Sequence, residues 1–274
     1  MEERTARSIP NVLSIAGVDP SGGAGLLADV KTMSSLGAYA CGVVTALTAQ
    51  STKTVSGILD VPPAFITEQL ETLFDDVRID AAKIGMLSRP ETIRAVAESL
   101  RRHRPRYIVL DPVITAKSGA ALLGADAVGT LKEELLPLCD MFTPNLPEAM
   151  TLLGEEALPG ADEMPEVARR LFELAGGRAA VYLKGGHLEG ERMRDVIFDG
   201  REMRSLESVR FDTKNTHGTG CALSSALAAL LPQCEDKWEA VVRAHDWLQQ
   251  AIRDSGNLSV GTGHGPVDHF WQHR

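Results

Sequence analysis

Charged and amide side chains stand at the ends of apolar runs in this chain. Asp111-Pro112-Val113 closes the run Tyr107–Leu110, and Pro144-Asn145-Leu146-Pro147-Glu148 follows Met141–Thr143. Two carboxylates and an amide at successive strand ends suit Mg2+, which takes hard oxygen ligands and keeps several waters. Taken singly, Asp111 reads as a helix cap and Glu148 as a first-turn carboxylate favoured by the helix dipole. Lys184-Gly185-Gly186-His187 ends a further run with a cation flanked by glycines. Thr213-Lys214-Asn215-Thr216-His217-Gly218-Thr219-Gly220-Cys221 leads directly into the apolar stretch Ala222–Leu231. A Gly-x-Gly at a helix start presents unpaired N–H groups and the positive end of the dipole to an anion. The same field is expected to stabilise the Cys221 thiolate.

A glycine-rich turn, Ala16-Gly17-Val18-Asp19-Pro20-Ser21-Gly22-Gly23-Ala24-Gly25, follows the first apolar run. Such a turn lets a ligand approach the main chain closely. Gly23–Ala28 fits the dinucleotide fingerprint G-x-G-x-x-A, but the ribose carboxylate expected about 20 residues on is missing. Gln50 stands at the end of the second run, where an amide suits the edge of a heteroaromatic ring. Met86 follows the next run, in Lys83-Ile84-Gly85-Met86. There is no Walker motif and no nucleophile elbow.

The elements that must position these groups follow from periodicity. Val12–Val18, Tyr39–Thr48, Ala81–Met86, Tyr107–Val113, Met141–Thr143 and Ala179–Lys184 read as buried strands, and Asp195–Phe211 as two exposed strands turned by Asp199-Gly200. Gly22–Leu36, Pro62–Val77, Pro90–Arg101, Gly218–Leu231 and Lys237–Ile252 read as helices. The alternation implies an α/β fold with a mostly parallel sheet covered by helices on both faces, whose ligands bind beyond the carboxyl ends of the strands. Residues 1–10 read as a flexible extension and 11–274 as one domain, Gly154–Pro165 being the softest boundary.

With 28 Lys+Arg against 37 Asp+Glu the net charge is −9, and no basic run is present, which argues against nucleic-acid or anionic-membrane binding. The four cysteines form no CxxC pair and no zinc spacing, and no segment is apolar enough to span a membrane, so a cytoplasmic protein is expected. Cys41, Cys139 and Cys234 read as buried small hydrophobes, and His245 as a satisfied boundary histidine on an apolar face. His264, His269 and His273 lack ligand spacing.

Together these motifs resemble the hydroxymethylpyrimidine/phosphomethylpyrimidine kinases of thiamin biosynthesis, members of the ribokinase-like superfamily. The strings that carry the resemblance are the Gly17–Gly25 turn with Ala28-Asp29, Thr45-Ala46-Leu47-Thr48-Ala49-Gln50, Lys83-Ile84-Gly85-Met86, Asp111-Pro112-Val113 with Ala116-Lys117-Ser118-Gly119, Pro144-Asn145-Leu146-Pro147-Glu148-Ala149, Lys184-Gly185-Gly186-His187, and Asn215–Cys221. They run in order from about Val12 to Phe270. The resemblance implies a three-layer ribokinase-like sandwich, usually a homodimer. It also implies Mg-ATP as phosphoryl donor to 4-amino-5-hydroxymethyl-2-methylpyrimidine and then to its monophosphate. It would place Gly17, Asp29, Gln50, Met86 and Val113 at the pyrimidine. Asp111, Asn145 and Glu148 would serve metal and phosphates, with Asp111 and Glu148 on the ion. Lys184 would bridge phosphates, Thr213 and His217 would lie near the nucleotide, Gly218, Thr219 and Gly220 would form the anion hole, and Cys221 would hold the catalytic position. Leu27 and Ile114-Thr115 depart from the family pattern at the pocket rim. No fused thiamin-phosphate synthase is expected after Arg274.

The nearest rival is pyridoxal kinase, whose members tend to carry Met where this chain has Gln50. An oxidoreductase would rest on Gly23–Ala28 alone. A non-catalytic pyrimidine-binding protein would have no need of the complete phosphate apparatus.

Overall fold

The computed structural model describes residues 9–114, 123–186, 188, 190 and 192–274. Thr115, the segment Ala116-Lys117-Ser118-Gly119, His187 and residues 1–8 of the N-terminal extension lie outside them.

The strands are β1 (Asn11–Val18), β2 (Tyr39–Gln50), β3 (Val55–Asp60), β4 (Ala81–Ile84), β5 (Tyr107–Leu110), β6 (Met141–Phe142), β7 (Ala180–Leu183), β8 (Arg192–Phe198) and β9 (Met203–Val209). They form one sheet in the order β3-β2-β1-β4-β5-β6-β7-β8-β9. From β2 to β7 the pairing is parallel, and β3, β8 and β9 are antiparallel. Parallel neighbours need crossover connections, and here helices supply them. The helices are α1 (Gly25–Ser35), α2 (Pro63–Asp76), α3 (Pro90–His103), α4 (Ala125–Thr130), α5 (Leu146–Leu153), α6 (Met164–Leu174), α7 (Thr219–Leu230) and α8 (Lys237–Arg253).

The period-two alternation of the strands divides the core into two layers. Leu13, Ile15, Ala82 and Ile84 pack with Ile66 and Leu70 of α2, Ile93 and Val96 of α3, and Leu171 of α6. Their neighbours Val12, Ala81, Val109 and Tyr182 face the opposite way, onto Met33 of α1, Leu227 of α7 and Trp247 of α8. This is the expected ribokinase-like three-layer sandwich, and it aims every carboxyl end of β1, β4, β5, β6 and β7 at one rim.

Several boundaries differ from the sequence reading. Helix α1 begins at Gly25 rather than Gly22, because Gly22 and Gly25 adopt φ of 73° and 57° in a tight turn. Strands β4 and β5 stop at Ile84 and Leu110, releasing Gly85-Met86 and Asp111-Pro112-Val113 into the rim. Strand β3 has no counterpart in the sequence reading. Its residues are mostly exposed, so no buried face marks it, and its pairing with β2, Leu47 opposite Leu59, creates it. Helices α5 and α6 are also additional; both are short and open with proline in the first turn.

Candidate active site

The glycine turn after β1 is organised by Asp19, which the sequence reading did not single out. Its carboxylate is 3% exposed and accepts from the Ser21 N–H (2.8 Å), the Ser21 hydroxyl (2.8 Å) and the Ala24 N–H (3.1 Å). His217 Nε2 lies 2.7 Å from Asp19 Oδ2 and 3.4 Å from Gln50 Nε2. Burial raises the Asp19 carboxyl, but His217 and the Ser21 donors outweigh it and hold the group below its ordinary range. The only sequence signal for Asp19 was its place directly before Pro20-Ser21-Gly22-Gly23.

Gln50 is the last residue of β2, and its Oε1 accepts from Thr48. Gly17 and Met86 are close enough that a Cβ on Gly17 would lie 3.5 Å from the Met86 sulfur. The structure thus groups Gly17, Met86, Gln50 and His217 around the first turn, with His217 at the Gln50 end. Asp29 is placed deeper. It has no exposed surface, and its oxygens contact Ser14, Lys83 and Ser225 rather than the rim. Val113, half-buried, donates its N–H to the Asp111 carbonyl at 2.8 Å.

A second group forms beyond β5, β6 and β7. The Lys184 ammonium lies 3.1 Å from Asp111 Oδ1 and 3.9 Å from Glu148 Oε2, all three side chains being largely buried. Thr143 donates its hydroxyl to Asp111 Oδ1 at 3.2 Å. Asn145 and Glu148 form a reciprocal capping box on α5, the Asn145 N–H donating to Glu148 (2.8 Å) and the Glu148 N–H to Asn145 Oδ1 (2.9 Å). Glu148 is therefore a helix cap and a rim carboxylate at once. Burial pushes its carboxyl up to about 7; Lys184 opposes the rise and Asp111 adds to it. Two carboxylates against one ammonium leave an excess negative charge among hard oxygens, a donor set that fits Mg2+. No group of three or more His, Cys, Asp or Glu that could hold a metal occurs among the described residues. An ion on Asp111 and Glu148 would complete its shell with water and phosphate oxygens.

The Gly218–Cys221 segment closes the rim. Gly218 has φ 75°, and a Cβ there would lie 1.8 Å from the Gly23 carbonyl oxygen, so only glycine fits. A Cβ on Gly220 would sit 3.1 Å from Lys184 Nζ and 3.4 Å from Asp111 Oδ2, so the start of α7 faces the charged group directly. Thr219 donates its hydroxyl to the Thr216 carbonyl at 3.3 Å. Thr213 stands to one side, accepting the Asn215 N–H at 3.1 Å and facing the Ser255 hydroxyl.

The expectation of a stabilised Cys221 thiolate is corrected. Burial pushes this thiol up to about 11, against the pull of the Lys83 ammonium, and the Asp29 and Asp111 carboxylates add to the rise. The helix field is outweighed first by burial and then by the neighbouring carboxylates. Cys234 is corrected too: it is half-buried rather than buried, and Arg243 lies 3.3 Å from its sulfur. Cys41 and Cys139 are buried as expected.

A ribokinase-like sandwich with a lysine, two carboxylates and a glycine-rich helix start at one rim defines a phosphotransferase. A family model described as phosphomethylpyrimidine kinase matches residues 19–268, and the chain belongs to that family. It is 49% identical over 260 residues to the hydroxymethylpyrimidine/phosphomethylpyrimidine kinase of Escherichia coli (strain K12), covering 95% of this chain and 97% of that protein. Among solved structures, phosphomethylpyrimidine kinase from Clostridium difficile 630 superposes with a TM-score of 0.78 at 38% identity, covering 89% of this chain and 99% of that one. The ADP complex of Staphylococcus aureus pyridoxal kinase gives a TM-score of 0.88 at 32% identity, covering 97% and 96%.

Proposed function

We propose that this enzyme uses ATP to phosphorylate the hydroxymethyl group of 4-amino-5-hydroxymethyl-2-methylpyrimidine, and then phosphorylates that product to the diphosphate, in thiamin biosynthesis. The observation that carries the reading is the contact of Lys184 with Asp111 directly in front of Gly220. Phosphoryl transfer asks mostly for positioning and for positive charge around the equatorial oxygens. Lys184 and the N–H groups of Gly218, Thr219 and Gly220 supply that charge from the protein, each such donor contributing about 3 kcal/mol at the transition state. Asp111 and Glu148 would hold Mg2+, which when bound adds charge neutralisation at the phosphates. Gln50, with Gly17 and Met86 beside it, offers donors and an acceptor to the ring edge.

Cys221 opens α7 beside the anion hole. With its thiol protonated near neutral pH, it orients the hydroxymethyl oxygen, and a loose transition state asks for little base. The second step has an ionised phosphate as nucleophile and depends less on the thiol. Thr213 and Asn145 support the loops of the nucleotide side. We place the enzyme in the cytoplasm as a single-domain homodimer over residues 11–274. Among the described residues no helix is long and apolar enough to cross a membrane.

The likeness to pyridoxal kinase favours one side activity, phosphorylation of pyridoxal. ATP consumption measured in parallel with the hydroxymethylpyrimidine, its monophosphate and pyridoxal tests both readings. Turnover of both pyrimidines is expected, with pyridoxal slower. Turnover of pyridoxal alone overturns the proposal.

A further inference from the structure

Beneath Cys221 lies a closed polar network that the mechanism above does not use. Lys83 Nζ contacts both Asp29 oxygens, at 2.9 and 2.8 Å, with neither side chain exposed. Ser14 donates to Asp29 Oδ2 at 2.6 Å and Ser225 to Asp29 Oδ1 at 2.7 Å. Four elements, β1, α1, β4 and α7, thus meet at one carboxylate. A buried ion pair is weak evidence for stability, since apolar replacements of similar volume often do as well. Its place in the fold is more informative.

Asp29 and Ser225 each lie four residues after a partner at the rim. Gly25 is four before Asp29 on α1, and Cys221 is four before Ser225 on α7. Residues four apart share a helix face. The Ser225–Asp29 hydrogen bond therefore joins the two helices one turn beyond Gly25 and Cys221. The start of α1 packs tightly on the end of β1: a Cβ on Gly25 would lie 2.3 Å from the Gly17 carbonyl oxygen. The charges that face the sulfur are Lys83 and Lys184 on one sign and Asp29 and Asp111 on the other.

We infer that the Asp29–Lys83 pair, with Ser14 and Ser225, is a positioning device that fixes the Cys221 sulfur against α1 and balances the charge behind it. Lys83 and Asp29 are positioning residues, acting through the thiol. The inference rests on the reading of Cys221 given above.

The test uses the full chain with Cys234→Ser, so that Cys221 is the one thiol not buried. Lys83→Met alone would strand a buried carboxylate, so Asp29→Leu and Lys83→Met are combined, and Ser225→Ala and Asp29→Asn are made separately. Alkylation of Cys221 by iodoacetamide, followed at about pH 8, reports thiolate population without any substrate. Asp29→Asn leaves the ammonium without its counter-ion and is expected to speed alkylation about threefold or more. Ser225→Ala and the combined variant are expected to lower first-step kcat about tenfold, with the KM for ATP nearly unchanged and a smaller loss in the second step. Folded variants with unaltered alkylation and unaltered first-step kcat overturn the inference. A first step insensitive to Cys221→Ala instead overturns the role given to Cys221, while the alkylation rates still decide whether the network governs the thiol.

Discussion

Lys184 Nζ and Asp111 Oδ1 stand 3.1 Å apart across the space that a side chain on residue 220 would enter. The contact joins the ends of β5 and β7 to the first turn of α7. A methyl on residue 220 would press on both charged groups.

Gly220→Ala is expected to lower kcat about a hundredfold, since the methyl would fill the cradle and displace the ammonium. Stability should change by less than about 1 kcal/mol, because alanine suits a helix and residue 220 needs no left-handed backbone. Gly218→Ala should differ, losing both activity and several degrees of Tm, because its Cβ overlaps the Gly23 carbonyl. Steady-state kinetics and thermal melts on the two variants separate these outcomes.

Cys221→Ala should slow phosphorylation of the hydroxymethylpyrimidine by about ten- to a hundredfold and that of its monophosphate much less. Equal losses in both steps would show that Cys221 shapes the site without acting on the hydroxymethyl group.

Asp19→Ala removes the acceptor of two N–H groups, one hydroxyl and the His217 ring. Stranded donors of this kind cost about 1–3 kcal/mol each when buried, so a total loss of about 3 kcal/mol is expected in denaturant unfolding. The KM for the pyrimidine should rise more than the KM for ATP, because the His217 ring held by Asp19 lies against Gln50. An unchanged pyrimidine KM would separate Asp19 from the ring site.

Away from the site, Asp199 carries a pH signature. Burial raises its carboxyl, but the Glu202 N–H, the Lys237 ammonium and the Arg201 N–H hold it down at about 2. A depressed carboxyl contributes stability above its unfolded value of 3.8 that is lost as pH falls toward 2. Asp199→Asn keeps an oxygen for the two N–H groups and loses the charge on Lys237. With Lys237 partly exposed, the cost at neutral pH is about 1 kcal/mol. Unfolding curves of the two proteins should converge between about pH 4 and pH 2.

Local patterns made most of the fold legible. Apolar runs marked β1, β4, β5, β6 and β7, and the Asp199-Gly200 turn marked the β8–β9 pair. What failed locally was β3, whose exposed residues acquire a strand conformation from β2, and the start of α1, where the turn needs more glycine backbone than a helical period reveals. Within the site, the glycines, Lys184, Asp111 and Glu148 were legible because each stands where an apolar run ends. Asp19 was not: its Ser21 and Ala24 partners are local but read as ordinary turn bonds, and His217, which ties it to the site, is 198 residues away.

The fold class, the rim beyond the strands and the residue types available there follow from periodicity and chain punctuation, and so are readable along the chain. Tertiary structure alone decided which side chains share a field. Asp111 meets Lys184 across 73 residues, Asp19 meets His217 across 198, and Asp29 meets Ser225 across 196. Burial and those long-range neighbours set the proton affinity of Cys221, which is why a thiol expected to ionise at a helix start is held protonated instead. A helix field is local and readable; the desolvation and carboxylates that overrule it exist only once the chain has folded.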